Sequence, residues 1–496
     1  MFILTGFLGA GIPSQSSANS EGPAVHASEF TETEAEVLEQ LRSSSEIEKR
    51  AALLYLSGKG TTRFIELAIR EGIASPDTKA QYTLLTVAAT NGHLETVKML
   101  IALGADIEIK DESRDTPLKA AARAGQLQVV NYLLSKGADP NAEGKSGSTP
   151  LSSATYGGHI AIIDALLKNG ATIKSNDGRW TLLHYAAKYG HSEIIEYYIG
   201  KGIDINQRTS KGSTALSLAV HAGHSSAVAK LVDHKADVNS PTDKKQSPLI
   251  IASYKGFLDI AAILLEGEAK INFEDEKGRS ALWWAASQGH ERVVELLHQK
   301  NARAESAVSL FAKKGKQQSL ETLVTSGIPL TVINDDGQTA LHIAARYGHL
   351  NVVRYYLQQG LDIHTTDGKG YTALHRASGY GHTQVAQYLL EQGSNPNWEG
   401  EPNLWTPVSL AARYGHLEIL KMLHRKGGNL NQVNYKGWSP LMLGARGKHP
   451  LVVEYLLANN VDTELQNNNQ HSAIDIALKS KKKAVIELLS SSASID

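Results

Sequence analysis

Hydrophobic and polar residues follow a helical period along most of this chain, and the segment Asp335–Ile363 shows the pattern most clearly. Apolar residues at Leu350, Val353 and Leu357 have the i, i+3, i+7 spacing of one face of a helix. Gly360 follows, and glycine readily adopts the left-handed backbone conformation that ends many helices. The pattern therefore predicts a helix that begins near Leu350 and stops just before Gly360.

A shorter helix is predicted immediately before it. Thr339 is a residue type that offers its side-chain oxygen to the free N–H groups of a helix N-terminus, so this helix should start at Ala340. It should end near Tyr347, because Gly348 allows the chain to turn back. The Asp- and Gly-rich residues 361–370 then form a turn. The unit is two antiparallel helices and a turn.

This helix pair recurs along the chain, mostly at a step of 33 residues. The glycine that ends each first helix marks the copies: Gly92, Gly125, Gly158, Gly190, Gly223, Gly256, Gly289, Gly348, Gly381 and Gly415. A four-residue signature opens several first helices: Thr116–Lys119, Thr149–Ser152, Thr181–His184, Thr339–His342, Thr372–His375 and Thr406–Ser409. A fixed period of this length indicates a repeat protein.

Both the period and the Thr-Pro-Leu-His type of signature resemble those of the ankyrin-repeat family, over about residues 46 to 496. The resemblance implies an all-α fold, the ankyrin-repeat α-solenoid. In that fold, helix–turn–helix pairs joined by β-turns or hairpins stack into a curved, elongated array, here of about twelve or thirteen repeats. It also implies a non-catalytic module that binds protein partners on its concave face.

We divide the chain into five segments by the quality of the repeats. The Ser/Ala/Gly/Pro-rich N-terminus has the composition of a disordered segment. The remaining boundaries follow the strength of the signature and of the capping signals. The segments are a disordered start (1–30), an N-terminal helix with a degenerate capping repeat (31–76), a first block (77–305), a shortened repeat (306–333), and a second block with a C-terminal cap (334–496).

The shortened repeat interrupts the period. Gly289 and Gly315 are only 26 residues apart, seven short of a full step. Because residues 306–333 lack both the threonine cap and the Asp/Gly turn, we interpret the deletion as including part of the first helix. A repeat is held only by its neighbours, so we expect this unit to be the weakest point of the array and a joint between two arms.

Composition narrows the class of function. The 50 basic and 51 acidic residues leave a net charge of −1, which does not provide the positive field of a nucleic-acid binder. The absence of cysteine excludes disulfides, thiolate zinc sites and cysteine nucleophiles. No apolar run approaches the roughly 20 residues that span a bilayer. We expect a monomeric, cytoplasmic protein without direct membrane insertion; the basic run Lys479–Lys483 leaves a nuclear location open.

One N-terminal motif suggests a nucleotide site. Gly6 to Gly11 has the G-x-x-x-x-G spacing of a phosphate-binding loop and is similar to P-loop GTPases of the metal-chaperone type. However, Ile12 and Pro13 stand where the phosphate-binding lysine and the magnesium-binding Ser/Thr belong. We therefore predict no bound nucleotide and no other cofactor.

The 19 histidines do not predict a metal site. Eight of them follow a repeat glycine and three occupy the signature position, where the family resemblance implies that they hydrogen-bond neighbouring turns. Ligands of a metal must converge, whereas these residues stand in rows about one repeat apart. Paired carboxylates such as Asp335–Asp336 lie at turn tips, and the chain has no recognised local motif of a nucleophile and its base. We predict no catalytic residues, and hence no enzyme.

The candidate binding surface follows from the resemblance, because the family varies two positions before the repeat glycine and one before the signature Thr/Ser. In the first block these positions mix large and small residues, whereas in the second block most are Tyr, Trp or Arg, the types enriched in interface hot spots. We expect an acidic or mixed peptide segment as ligand. The predicted partner-binding residues are Arg346, Tyr347, Tyr371, Tyr380, Trp405, Arg413, Tyr414, Trp438 and Arg446. A structural role, in which each tyrosine packs over the adjoining helix end, is the alternative.

The leading hypothesis is a scaffold or adaptor that binds a protein partner. The alternative is the sensor arm of an NTPase-type receptor whose catalytic domain is absent from this chain, and a scaffold for a separate membrane enzyme or channel is a third hypothesis. A nucleotide-binding assay distinguishes the first two.

Overall fold

The computed structural model describes residues 32–77, 83–173, 180–481 and 483–492. The predicted disordered segment and the phosphate-loop-like motif lie outside these residues. By its internal contacts the chain divides into two compact units, which meet in sequence at Asp237 and Val238. Each unit consists of helix pairs, and the described residues contain no β-strand. Isolated antiparallel bridges, such as the one between Gly400 and Trp405, occur at turns.

In its described part, the first unit has one N-terminal helix followed by six helix pairs. The N-terminal helix is Glu32–Ser43, and the pairs are Glu46–Lys59 with Thr62–Arg70, Leu84–Thr90 with Leu94–Ala102, Pro117–Ala124 with Leu127–Ser135, Pro150–Gly157 with Ile160–Lys168, Leu182–Tyr189 with Ser192–Gly200, and Ala215–Ala222 with Ser225–Asp233. A 3₁₀ turn, Lys145–Gly147, precedes the fourth first-unit pair in sequence, counting from Glu46.

The second unit has eight pairs across its described residues. They are Pro248–Lys255 with Leu258–Glu266, Ala281–Gln288 with Glu291–Gln299, Glu305–Lys313 with Gln317–Thr325, Ala340–Tyr347 with Leu350–Gln358, Ala373–Tyr380 with Thr383–Glu391, Pro407–Tyr414 with Leu417–Arg425, Pro440–Gly447 with Pro450–Ala458, and Ala473–Lys479 with Lys483–Ser492. The two units together hold fourteen pairs, slightly more than predicted, because the degenerate end repeats and the shortened repeat all form complete pairs.

Reciprocal caps fix where most first helices begin. Before the helix Pro407–Tyr414, the Thr406 hydroxyl accepts the Ser409 N–H at 3.1 Å, and the Ser409 hydroxyl accepts the Thr406 N–H at 2.9 Å. These bonds satisfy N–H groups that have no partner inside the helix. In the repeat that contains Thr339, His342 makes the return bond, because its Nδ1 accepts the Thr339 N–H at 3.3 Å. The predicted starts at Ala340 and Leu350 are confirmed.

Glycine is required where the first helix ends. Gly348 has φ +80°, a left-handed conformation that L side chains rarely adopt. A Cβ at this position would lie only 2.5 Å from Nδ1 of His382, which belongs to the next repeat. The glycine thus serves both the local turn and the contact between repeats.

Within each unit, the core forms where small and branched side chains of successive helices meet. In the pair that begins at Ala340, for example, Leu341, Ala344, Val352 and Val353 are fully buried. Alanine on the inward face allows neighbouring helices to approach closely. At the N-terminal end, Leu38 and Leu41 are buried on the helix Glu32–Ser43, which confirms the N-terminal helix expected in this segment.

The shortened repeat departs from the prediction in one respect. Its first helix, Glu305–Lys313, is complete at nine residues, so the missing residues come from the turn rather than from the helix. The chain passes from the preceding helix, which ends at Gln299, almost directly into this helix. Ala304 stands at the cap position and provides no side-chain hydrogen bond. The predicted loss of the turn and of the cap is confirmed, whereas the shortened helix is wrong.

Candidate protein-interaction surface

The nine predicted partner-binding residues all lie in the second unit, at the ends of first helices or in the turns before them; we call them the aromatic–basic surface. Tyr347, Tyr380 and Tyr414 are 39%, 47% and 49% exposed, so about half of each side chain remains accessible. Arg413 and Arg446 are exposed, and the remaining four residues are partly buried.

Two tryptophan–arginine pairs recur on successive first helices. The Arg413 guanidinium carbon lies 4.9 Å from the ring centroid of Trp405, and Arg446 lies 5.0 Å from Trp438. In each pair the tryptophan precedes the helix cap and the arginine follows eight residues later, slightly more than two helical turns, so both side chains lie on one face. A guanidinium over an indole ring gains cation–π attraction and loses freedom to rotate.

A second set of contacts joins two tyrosines to basic side chains of neighbouring repeats. The Arg346 guanidinium lies 4.9 Å from the ring of Tyr380, which is on the next first helix. Lys313 lies 5.4 Å from the ring of Tyr347 in the same way. Each tyrosine is therefore held by the preceding repeat. This packing supports part of the structural alternative for the tyrosines, but it leaves much of each ring exposed.

The two tryptophan–arginine pairs meet in one pocket of about 310 Å³. We call it the Trp–Arg pocket, and its lining residues are Asn403, Trp405, Arg413, Asn434, Tyr435, Lys436, Trp438, Leu443 and Arg446. Four of the nine predicted residues contribute to it. The others lie beside it or on the preceding repeats.

The charged side chains that line the Trp–Arg pocket are all positive. Arg413, Lys436 and Arg446 line it, and no carboxylate does. None of these three side chains makes an ion pair with any residue in the part of the chain that the structure describes. Lys436 instead lies 5.2 Å from the ring of Tyr435. The pocket consequently presents three positive charges that no anion of the described residues neutralises.

The turn that forms one wall of the pocket is held by a buried asparagine. Asn434 is 4% exposed, and its side-chain oxygen accepts the N–H groups of Lys436 at 3.0 Å and Trp438 at 3.1 Å. The Tyr435 N–H also donates to the carbonyl of Asn403 in the neighbouring turn at 3.3 Å. These bonds fix the turn that carries Tyr435, Lys436 and Trp438.

Tyr371 has a different environment from the other predicted residues. Its ring stacks on the buried His375 with a centroid distance of 5.1 Å and an angle of 12°. Gly400 lies close to the ring, so that a Cβ there would come within 2.3 Å of it. Burial raises the pKa of the Tyr371 hydroxyl. The structure thus places this side chain in the framework beneath the surface.

Sequence reasoning missed five lining residues: Asn403, Asn434, Tyr435, Lys436 and Leu443. The first four lie in turns, and they were missed because the reasoning considered columns of the repeat and ignored the turn tips. A signal was present in the segment Asn434-Tyr435-Lys436-Gly437, where an aromatic and a basic residue occupy a tight turn. The spacing of eight residues between a tryptophan and a basic residue was a second signal. In the first unit the same spacing places Lys188 5.1 Å from the ring of Trp180.

The histidines after the repeat glycines tie one repeat to the next, as expected. His382 Nε2 donates to the carbonyl of Arg346 at 2.7 Å. His449, which follows Lys448 at the position of a repeat glycine, donates from Nε2 to the carbonyl of Arg413 at 3.1 Å. Both acceptors belong to residues of the aromatic–basic surface. Among the residues that the structure describes, no three His, Asp or Glu side chains are grouped as metal ligands would be.

Repeated helix pairs, with caps before the first helix, left-handed glycines after most first helices and histidine bridges between repeats, define an all-α helical-repeat protein. The family described as ankyrin repeats (3 copies) matches residues 25–111, 108–177, 173–242, 216–307, 308–399 and 408–496. The chain belongs to the ankyrin-repeat family. Ankyrin repeats are generally protein–protein interaction modules, and their fold is typically non-catalytic.

Individual relatives match only in part. A stretch of 60 residues is 37% identical to the NAD-capped RNA hydrolase NUDT12 of Homo sapiens and to that of Pongo abelii, and covers 12% of this chain. The stretch spans 13% of the length of those relatives. The crystal structure of the human ASB11 ankyrin repeat domain is similar at 27% identity, with a TM-score of 0.41, over 44% of this chain and 97% of that one. In the described part of this chain, no helix has the length and apolar character needed to cross a membrane.

Proposed function

We propose that the protein is a non-catalytic scaffold or adaptor whose aromatic–basic surface is the concave binding face of the second unit and takes an acidic segment of a partner protein. One observation carries the proposal: three cations without ion-pair partners among the described residues surround the Trp–Arg pocket, and its lining contains no carboxylate. A carboxylate ligand supplies the missing counter-charges.

The stacked arginines are suited to this ligand. Because Trp405 and Trp438 cover one face of each guanidinium, the N–H groups at the guanidinium edge remain available for two parallel hydrogen bonds to a carboxylate. Stacking also restricts each arginine before the ligand arrives, so less conformational entropy is lost on binding. The exposed tyrosines beside the pocket add large, rigid contact area.

The first test measures which peptides bind. We would display random 15-residue peptides to the full-length protein and sequence the population that is retained. Enrichment of Asp and Glu, with apolar residues between them, is the expected outcome. Retention of neutral or basic peptides would contradict the proposed ligand.

The second test uses charge-matched variants with a selected peptide. Replacing Arg413 and Arg446 by Gln removes two charges from the pocket, whereas replacing Arg425 and Lys426 by Gln removes two charges at the exposed end of a second helix. We expect the pocket variant to bind at least tenfold more weakly, about 1.4 kcal/mol, and the control to bind nearly as wild type. Equal losses in both variants would show only a general charge effect.

The aromatic part of the surface has its own variant. Changing Tyr380, Trp405 and Tyr414 to Ala should weaken binding by tenfold or more, about 1.4 kcal/mol, while far-UV circular dichroism stays unchanged. If this variant kept full affinity, the binding site would have to lie in the first unit or on another face. The receptor-arm alternative makes a different prediction, because it requires micromolar binding of ATP or GTP to the full chain.

A further inference from the structure

The first unit contains a separate pocket of about 630 Å³, lined by residues of three adjoining repeats. We call it the lysine pocket. Lys119 and Arg123 come from the helix Pro117–Ala124, and Ser153 and Tyr156 come from the helix Pro150–Gly157. The turn between these repeats contributes Lys145 and Ser148. None of these residues belongs to the aromatic–basic surface.

Lys119 is an unusual residue for its position. It occupies the fourth place of the signature, where the five other signature copies named above have a histidine or a serine that completes the helix cap. Here the side chain is 5% exposed and lines the pocket, with Nζ 2.5 Å from Asp115 Oδ1 and hydrogen-bonded to the hydroxyl of Ser148. Gly144 leaves the space for it, because a Cβ there would lie 2.1 Å from Nζ. The Thr116 hydroxyl still accepts the Lys119 N–H at 3.3 Å, but the return bond of the cap is replaced by a fixed positive charge.

Asp115 holds two of the pocket's cations in place. It is 4% exposed, and its second oxygen lies 3.2 Å from an Arg123 nitrogen. The Arg123 backbone is fixed as well, since its carbonyl accepts a hydrogen bond from His159 Nε2 at 3.2 Å. The two cations are therefore oriented before any ligand arrives, and the Asp115 carboxylate that orients them adds one negative charge to the lining.

Two further polar groups line the pocket. Lys145 is exposed and has no ion-pair partner in the described ranges. Ser153 is 6% exposed and lines the pocket. Its hydroxyl can donate a hydrogen bond to an oxygen of a ligand in the pocket.

The charges specify the kind of ligand. Three basic side chains against one carboxylate leave the lining with two positive charges, and a phosphate monoester carries about −1.5 to −2 at pH 7. We propose that the lysine pocket binds the phosphate of a phosphoserine or phosphothreonine in a partner protein. Lys119, Arg123 and Lys145 supply the charge, and Ser153 donates a hydrogen bond to a phosphate oxygen.

A protein segment fits this pocket better than a free ion does. The pocket is several times larger than a phosphate group, so it also accepts the backbone that carries one. Tyr156, which is 45% exposed on its wall, provides a flat surface for that backbone. The pocket lies at turns and first-helix ends, the same parts of the repeat that form the aromatic–basic surface.

The test uses a fluorescein-labelled degenerate peptide library with a central phosphoserine, and anisotropy measured on the full-length protein. The unphosphorylated library and one with aspartate at the centre are the reference ligands. We expect the phosphorylated library to bind at least tenfold more tightly than either reference. Equal binding of all three would overturn the proposal.

Variants assign the binding to the pocket. We expect Lys145→Gln, Arg123→Gln and Ser153→Ala each to weaken phosphopeptide binding about fivefold or more. Lys168→Gln removes one charge from an exposed second helix of the same unit and should leave the affinity unchanged. If Lys168→Gln weakened binding as much as Lys145→Gln, the contact would be non-specific and the proposal would fail. Inorganic phosphate that competes at the concentration of the peptide would overturn the assignment to a protein ligand.

This experiment is independent of the one on the second unit. The lysine-pocket variants should leave acidic-peptide binding by the aromatic–basic surface unchanged. The Trp–Arg pocket variant, Arg413→Gln/Arg446→Gln, should leave phosphopeptide binding unchanged. Loss of phosphopeptide binding on changing the second unit would place the phosphate there and contradict the lysine pocket.

Discussion

The protein should be less stable in mild acid, because one helix cap depends on a buried histidine, His375, that is neutral in the folded state. His375 is 1% exposed; its Nδ1 accepts the Thr372 N–H at 3.1 Å, and its Nε2 donates to the Trp405 carbonyl at 2.9 Å. Burial lowers the pKa of His375 to about 4. A second proton would sit on Nδ1, where it would face the Thr372 N–H and break the cap bond.

The sign and size of the effect follow from linkage. The pKa of the histidine is 6.5 in the unfolded chain and about 4 in the folded one, so between these values the unfolded state binds more protons. Stability from the neutral side chain is fully present above pH 6.5 and is lost as the pH falls towards 4. The expected loss in the free energy of unfolding between pH 7 and pH 5 is about 2 kcal/mol.

The replacement His375→Ser isolates this contribution, because the chain itself uses serine at the equivalent Ser409 to accept the cap N–H at 2.9 Å. We would measure urea unfolding of both proteins at pH 7 and pH 5. The advantage of the wild type over the variant should shrink by about 2 kcal/mol on acidification. His184 and His342, whose pKa values are also lowered by burial, are common to both proteins and cancel.

Two results would refute the reasoning. Parallel pH dependences of the two proteins would show that His375 does not titrate between the folded and unfolded states as proposed. An NMR titration midpoint near 6.5 for His375 in the folded protein would show that the buried cap does not hold it neutral.

Two further predictions concern the repeat framework. Gly348→Ala should destabilise the protein more than Gly360→Ala does, as measured by urea unfolding. Both glycines are left-handed, at φ +80° and +90°, but only a Cβ at position 348 would meet a neighbouring ring, that of His382. Equal losses of stability would exclude the His382 contact as a cause. In hydrogen exchange, the amides of Leu320–Val324 should exchange faster than those of Val352–Leu357, because the shortened repeat lacks its turn and its side-chain cap. Equal protection of the two segments would mean that the shortened repeat is not the weak point.

The sequence predicted the helix pairs well because their boundaries depend on local chemistry. A threonine or serine cap and a left-handed glycine act within a few residues, so Ala340, Tyr347 and Leu350 were placed correctly from residue type alone. The shortened repeat was misjudged because a change of period tells how many residues are missing but not from which element. Ala307, Val308 and Phe311, all buried on one face, carried the signal that its helix is intact.

The candidate sites were less accessible to sequence reasoning, since they depend on how turns of adjoining repeats meet. The column before each signature pointed to Trp405 and Trp438, which both line the Trp–Arg pocket, but their pairing with arginines eight residues later follows only from the path of the helix. Lys119 was seen as a variant of the signature, although burial and the contact with Asp115 give it a different role. Sequence periodicity identifies positions, and only the fold shows which of them converge.

The histidine bridges connect the stability of the array to its recognition surface. His449, in one repeat, holds the carbonyl of Arg413 in the repeat before it at 3.1 Å, and His159 holds that of Arg123 in the same way. Arg413 and Arg123, two of the proposed recognition residues, are thus fixed by a backbone bond that the next repeat provides, as expected when repeats are stabilised mainly by nearest neighbours. A repeat cannot keep its recognition geometry if the following repeat opens, so local unfolding should reduce binding one repeat upstream of the site where it occurs.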